Sequence, residues 1–270
     1  MESKIFKALK LAFQPVAILW SDEPAGALQF KGVGSGCVVS MFAQAAAKGK
    51  TAAFDKTTFG CFGGGAGLGF GRQYENFPLG GVECFRYFLS TGLENSGKEE
   101  LVERAKGMGR NEFTKQLLHG EGYRKTPELV EKFLEDLPSM EVPTRYVIFK
   151  PLNDLADGEV PVVVIFTADT DQLSVLVTLV NYDRTGNENV IAPAGAGCHQ
   201  IGVYAFKEAK SKNPKAVIGL TDISARRTVR GILGKDVVTL AVPYNLFIDI
   251  ESNVEGSFLE RDLWKGMAGE

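Results

Sequence analysis

Two short runs in this chain are apolar at every position. Val16-Ala17-Ile18-Leu19-Trp20 and Val162-Val163-Val164-Ile165-Phe166 each follow a proline and each end on a small hydroxyl residue, Ser21 and Thr167. Unbroken runs of this length, rich in β-branched residues, predict strands buried on both faces, because a strand with one wet face alternates. Thr51 to Phe54, Arg145 to Lys150, Lys215 to Leu220 and Val237 to Pro243 predict further strands. The Arg145 strand is expected to pair with the one that starts at Pro161. Between them Asp154 to Glu159 is a polar turn. Cys37 to Lys48 and Cys198 to Lys210 have helical composition and end on basic residues, and Leu246 to Val254 predicts a last helix.

From Val82 to Leu137 the period changes. Val82, Phe85, Phe88 and Leu89, then Leu129, Val130, Phe133, Leu134 and Leu137, recur at helical spacing and predict two to four helices. Thr126-Pro127-Glu128 is a start signal: Thr caps, and Pro stands where the missing amide hydrogen costs nothing. Pro138 closes that helix.

The flanking elements repeat. Each apolar run precedes a Gly-x-Gly-Cys word, Gly34-Ser35-Gly36-Cys37 and Gly195-Ala196-Gly197-Cys198, then a helix and a second strand. Two such words among 4 Cys and 31 Gly in 270 residues are an unlikely accident. The spacing of about 150 residues suits a duplication and not a solenoid, whose repeats are shorter. The expected fold is therefore α/β, with two related β-α-β halves in a pseudo-two-fold arrangement and a helical segment inserted between them. Its divisions are a first half over 1–80, helices over 81–140, a second half over 141–256 and a peripheral tail over 257–270.

Composition narrows the function. A hydrophobic share of 44% supports a substantial core, and a net charge of -3 argues against nucleic-acid binding. No uncharged apolar run of membrane-spanning length and no leader pattern occur, so a cytoplasmic protein without membrane attachment is expected. Four widely spaced Cys make no disulfide framework.

The chemistry concentrates at glycine turns. Gly-x-Gly before a helix frees amides that favour an anion or a thiolate, making Gly36, Cys37, Gly197 and Cys198 candidates. Gly60-Cys61-Phe62-Gly63-Gly64-Gly65-Ala66-Gly67 adds a third setting. It fits neither the dinucleotide fingerprint nor the Walker loop, and is expected to be a backbone-rich loop whose Gly60, Gly63 and Gly64 line a bulky group. In the second half the counterpart of Cys61 falls near Asp222 and Arg226, an ion pair or a binding pair. Cys84 sits in a helical stretch and is expected in the core. His199 adjoins Cys198; His119 lies near a helix end. There is no Gly-x-Ser-x-Gly, no Cys-x-x-Cys and no evident triad.

Pro15-Val16-Ala17, Cys37 with its small-residue helix and Gly49, Cys61 with Gly63-Gly64 and Gly67-Leu68-Gly69, and Asp222 with Arg226 ahead of Val242-Pro243 together resemble the family called domain of unknown function 169, found in archaea and bacteria. The resemblance covers nearly the whole chain and implies no reaction. Three readings stay open. The first is an iron-sulfur or other soft-metal centre on Cys37, Cys61 and Cys198, with a small molecule or redox protein as partner. The second is a metal-free module that holds an anionic small molecule at convergent helix N-termini, lined by Gly36, Gly60, Gly63, Gly64, Gly197, Asp222 and Arg226. The third is a thiol enzyme with Cys37 or Cys61 as nucleophile. Homo-oligomerisation is left open.

Overall fold

The computed structural model describes residues 1–24 and 26–267. In chain order its first elements are α1 (Lys4–Ala8), β1 (Val16–Ser21), α2 (Val38–Lys48), β2 (Ala52–Phe54) and α3 (Phe62–Gly67). Next come α4 (Val82–Phe88), α5 (Glu99–Gly107), α6 (Glu112–His119) and α7 (Pro127–Asp136). The chain continues through β3 (Tyr146–Pro151), β4 (Val163–Ala168), α8 (Thr170–Val180), β5 (Val190–Ile191), α9 (Gly197–Ile201), α10 (Val203–Ala209) and β6 (Ala216–Gly219). It ends with α11 (Ile223–Leu233), β7 (Val238–Pro243), α12 (Tyr244–Ser252) and α13 (Asp262–Met267).

Two compact units result, one formed by residues 1–70 with 140–270 and the other by 71–139. The larger is a mixed α/β unit around a seven-stranded sheet in the order β2-β3-β1-β4-β7-β6-β5. Every pairing is antiparallel except β5 with β6. The strand from Arg145 does not pair with β4. It lies between β1 and β2, matching Ile18 to Phe149 and Ala53 to Ile148, and β1 separates it from β4. The polar turn over 154–159 therefore joins strands that are not neighbours.

Both faces of the sheet are covered, which explains the unbroken apolar runs. On one side Val16, Ile18, Val163 and Ile165 pack with Phe42 of α2, Phe206 of α10 and Val229 of α11. On the other, Ala17, Val164 and Phe166 pack with Ile5, Leu176, Leu179, Phe247 and Ile250. Leu259 and Trp264, in the tail expected to be peripheral, join this second layer, and the Trp264 indole N–H donates to the Ala8 carbonyl at 3.1 Å. The last three residues lie outside those described.

Helix starts follow their caps. Asp169 and Gln172 form a reciprocal capping box on α8, and Thr126 accepts from the Leu129 amide on α7 as its sequence predicts. The expected helix over 198–210 is broken in two by Gly202, whose φ of −109° and ψ of −105° lie outside the helical region. The smaller unit contains α4 to α7 around Tyr74, Phe77, Phe85, Phe88 and Phe113, with the Tyr74 and Phe85 rings 4.0 Å apart. It begins at 71, ten residues before the boundary expected from periodicity.

Candidate functional site

The N-termini of α2, α3, α9 and α11 meet at one place in the larger unit. Cys37 is the N-cap of α2, Cys61 of α3 and Asp222 of α11, while Cys198 is the second residue of α9. Three contacts hold them together. The Gly197 amide at the start of α9 donates to the Asp222 carboxylate at 3.1 Å. The Cys198 thiol donates to the Gly63 carbonyl at 3.0 Å. Gly64 lies against Val38, whose Cγ2 is 2.7 Å from where a Cβ on Gly64 would stand.

Phe62 to Gly67 is thus a helix and not the open loop its composition suggests. Helix propensity disfavours so many glycines, but here close packing overrides propensity. A Cβ on Gly67 would stand 2.7 Å from the Cys198 carbonyl carbon, and one on Gly197 would stand 2.9 Å from the Ala225 Cβ. Of the glycines expected to cradle a ligand, Gly64 and Gly197 serve this approach of helix to helix. Gly36 and Gly60 both press on the Phe30 ring, and Gly60, at φ +77°, also faces the Gly36 carbonyl.

Asp222 and Arg226 are not paired through their side chains. The carboxylate of Asp222 accepts from the Gly197 and Ser224 amides, at 3.1 and 2.9 Å. The guanidinium of Arg226 donates to the carbonyls of Leu220 at 3.1 Å, Val237 at 2.9 Å and Lys235. It ties α11 to both flanking turns, including Leu220, a buried non-glycine residue at φ +59°. Holding such a backbone costs of order 1 kcal/mol or more, so a clamp on its carbonyl is physically apt. Arg226 is in this way a positioning residue for the loop that carries Asp222.

The thiols sense one another. Burial pushes the Cys37 thiol up, and the neighbouring Cys61 adds to it. Burial also raises Cys61, opposed by the Gly64 and Gly63 amides; the Gly64 N–H points at its sulfur from 3.3 Å. Cys198 is pushed well above the usual thiol range by burial, then by Cys61 and Cys37. The Asp222 charge raises all three. Replacing Asp222 with Asn removes that charge and leaves an oxygen to cap α11. Cys37 and Cys61, both half-buried, are therefore expected to react faster with iodoacetamide at pH 8 than in the parent, as followed by peptide mass. Cys84 belongs to the other unit and is fully buried there.

Two buried polar groups follow Cys198: Gln200, which sequence reading missed, and His199, which it singled out as a neighbour of Cys198. Gln200, with no exposed surface, donates to the Pro193 carbonyl at 2.9 Å and to Thr221 at 2.6 Å, and accepts from the Thr221 amide. His199 is 1% exposed, and its Nδ1 accepts from the Ala196 amide at 3.2 Å. Burial lowers its pKa from 6.5 to about 4. The neutral form is favoured in the fold, so the unfolded chain takes up the proton first as pH falls. Stability from this group is complete above pH 6.5 and lost between 6.5 and about 4, by about 3 kcal/mol at ~1.4 kcal/mol per unit. Urea titrations of the parent across that window should show a steeper fall in stability than those of His199→Gln; equal slopes would refute the assignment.

No group of three or more His, Cys, Asp or Glu among the described residues is arranged to hold a metal ion. The Cys198 thiol is turned onto the Gly63 carbonyl and the Asp222 carboxylate onto amides. No described helix is long and apolar enough to cross a membrane. The model of the family domain of unknown function 169, described as uncharacterised ArCR, matches residues 4–253, and the chain belongs to that family. Comparison with curated proteins and with solved structures finds no match.

Proposed function

We propose that this family member carries a thiol centre, in which Cys37, Cys61 and Cys198 hold a soft metal or an iron-sulfur cluster. The supporting observation is geometric: Cys37 and Cys61 cap α2 and α3, and Cys198, at the start of α9, is held on Gly63 of α3. Soft thiolates select soft metals, and such an ion displaces the protons that burial otherwise favours. The Gly64 N–H directed at the Cys61 sulfur is the kind of hydrogen bond that tunes a cluster. Binding through Cys198 requires its sulfur to leave the Gly63 carbonyl, a side-chain rotation. The anion reading has less support, because the Asp222 carboxylate already occupies amides of α9 and α11, and Arg226 is committed to carbonyls.

A duplicated origin accounts for the arrangement. β1, α2 and β2 are followed by β3, which inserts between the two strands; β4, its helices and β6 are followed by β7, which does the same. β1 and β4 are antiparallel neighbours at the middle of the sheet, as a two-fold relation between halves requires. Under that relation the two Gly-x-Gly-Cys words correspond, and Cys61 corresponds to Asp222, N-cap for N-cap.

The test is anaerobic incubation of the full chain with ferrous iron and sulfide, followed by desalting, absorption spectroscopy and metal analysis. Visible absorbance with stoichiometric iron is expected. Colourless protein without iron, and without zinc or copper after the same treatment with those ions, would overturn the reading.

A further inference from the structure

We propose that Cys37 and Cys61 form a vicinal dithiol that closes reversibly to an intramolecular disulfide by exchange with a low-molecular-weight disulfide such as oxidised glutathione. The inference rests on how two chain segments are joined, and it concerns the metal-free protein.

The segment that ends in Gly36 runs against the one that ends in Gly60. The Gly34 amide donates to the Gly60 carbonyl, the Gly36 carbonyl oxygen is 2.6 Å from where a Cβ on Gly60 would stand, and Phe30 packs on both glycines. Cys37 and Cys61 are the next residues on each segment. They share the extended conformation, at φ −111°, ψ 126° and φ −106°, ψ 164°, and each starts a helix. Directly after Cys37, Val38 lies against Gly64, three residues beyond Cys61. Contacts before and after the pair bring the two segments side by side at Cys37 and Cys61, and the bridge asks for Cα atoms about 4.4–6.8 Å apart.

Access separates these sulfurs from the others. Cys37 and Cys61 are half-buried, whereas Cys198 and Cys84 are buried, and the Cys198 thiol is held on the Gly63 carbonyl. A soluble disulfide meets the half-buried pair before the buried thiols. The thiolate of one cysteine attacks a sulfur of the reagent, breaks its S–S bond and releases one glutathione thiolate. The second cysteine, as thiolate, attacks the mixed disulfide, forms the Cys37–Cys61 bond and releases the second glutathione. Two protein thiols are oxidised, the reagent disulfide is reduced to two thiols, and the two protons pass to the released thiolates.

The experiment uses reduced, metal-free full-length protein treated with oxidised glutathione, quenched in acid, alkylated and digested. The expected result is loss of two of the 4 alkylatable thiols and recovery of a peptide pair joined through Cys37 and Cys61, reversed by dithiothreitol. Cys37→Ser should instead accumulate a stable glutathione adduct on Cys61, because the resolving thiol is gone. Adducts on both cysteines of the parent without a joined pair would overturn the proposal, as would a link to Cys198 or four thiols left free. Failure of iron loading with a normal Cys37–Cys61 link would count against the metal reading alone.

Discussion

Gly202→Ala is expected to destabilise the protein by about 3 kcal/mol, a fall in Tm of roughly 5–10 °C, whereas Gly231→Ala is expected to raise stability slightly. The two glycines differ in what surrounds them. A methyl group on Gly202 lands on the Gly67 carbonyl oxygen and comes within 2.9 Å of the Cys198 carbonyl oxygen. Both obstacles are backbone, so relief requires α3 and α9 to separate. Gly231 lies inside α11 with nothing within 4 Å of the added carbon, and replacing a helix-interior glycine there gains about 0.5–1 kcal/mol. Thermal melts of both variants and the parent check this. A Gly202 variant as stable as the parent would mean that α3 and α9 do not depend on their close approach. Because the Cys198 thiol sits between these helices, the same substitution should expose it to alkylation.

The parts legible from sequence are those governed by local chemistry. β1, β4 and α2 follow from apolar runs and from composition, and α7 from Thr126 and Pro127. Strand order was not legible: β3 pairs with β1 and β2, a choice made by the whole sheet, and nothing in Arg145 to Lys150 marks it. The glycine-rich stretch misled for a related reason. Read alone, Phe62 to Gly67 is a poor helix, and only the backbone of α9 at contact distance explains why small residues are needed there. Of the candidate site, Cys37 and Cys198 stand out in sequence because each closes a Gly-x-Gly word ahead of a helix, whereas Cys61 stands out only through its glycines and Asp222 only as the counterpart of Cys61; that both of these cap helices is visible only in the fold. The roles of Arg226 and Gln200 were hidden, since their hydrogen-bond partners are main-chain groups and Thr221, assembled only by folding. The Asp169 and Gln172 capping box could have been read three residues apart, and with it the start of α8.

The sharpest separation between site and scaffold is expected from Cys61→Ser beside Cys84→Ser. Cys61 caps α3 by accepting the Gly64 amide on its sulfur. Serine is a preferred N-cap, and its hydroxyl accepts the same amide, so Cys61→Ser should melt within a few degrees of the parent. The change nevertheless replaces a soft sulfur by a hard oxygen that stays protonated at neutral pH. Iron bound after anaerobic reconstitution should then fall to half or less. Cys84 has no exposed surface, and a hydroxyl forced into that core costs about 1–3 kcal/mol, a drop of several degrees in Tm, while iron content stays at the parent level. Each variant thus moves one observable and spares the other. Metal content that tracks Tm across both variants would mean that iron merely reports folding. Equal iron in the parent and Cys61→Ser, with Tm unchanged, would remove Cys61 from the centre and leave the convergence of helix starts to be explained by packing and by the dithiol alone.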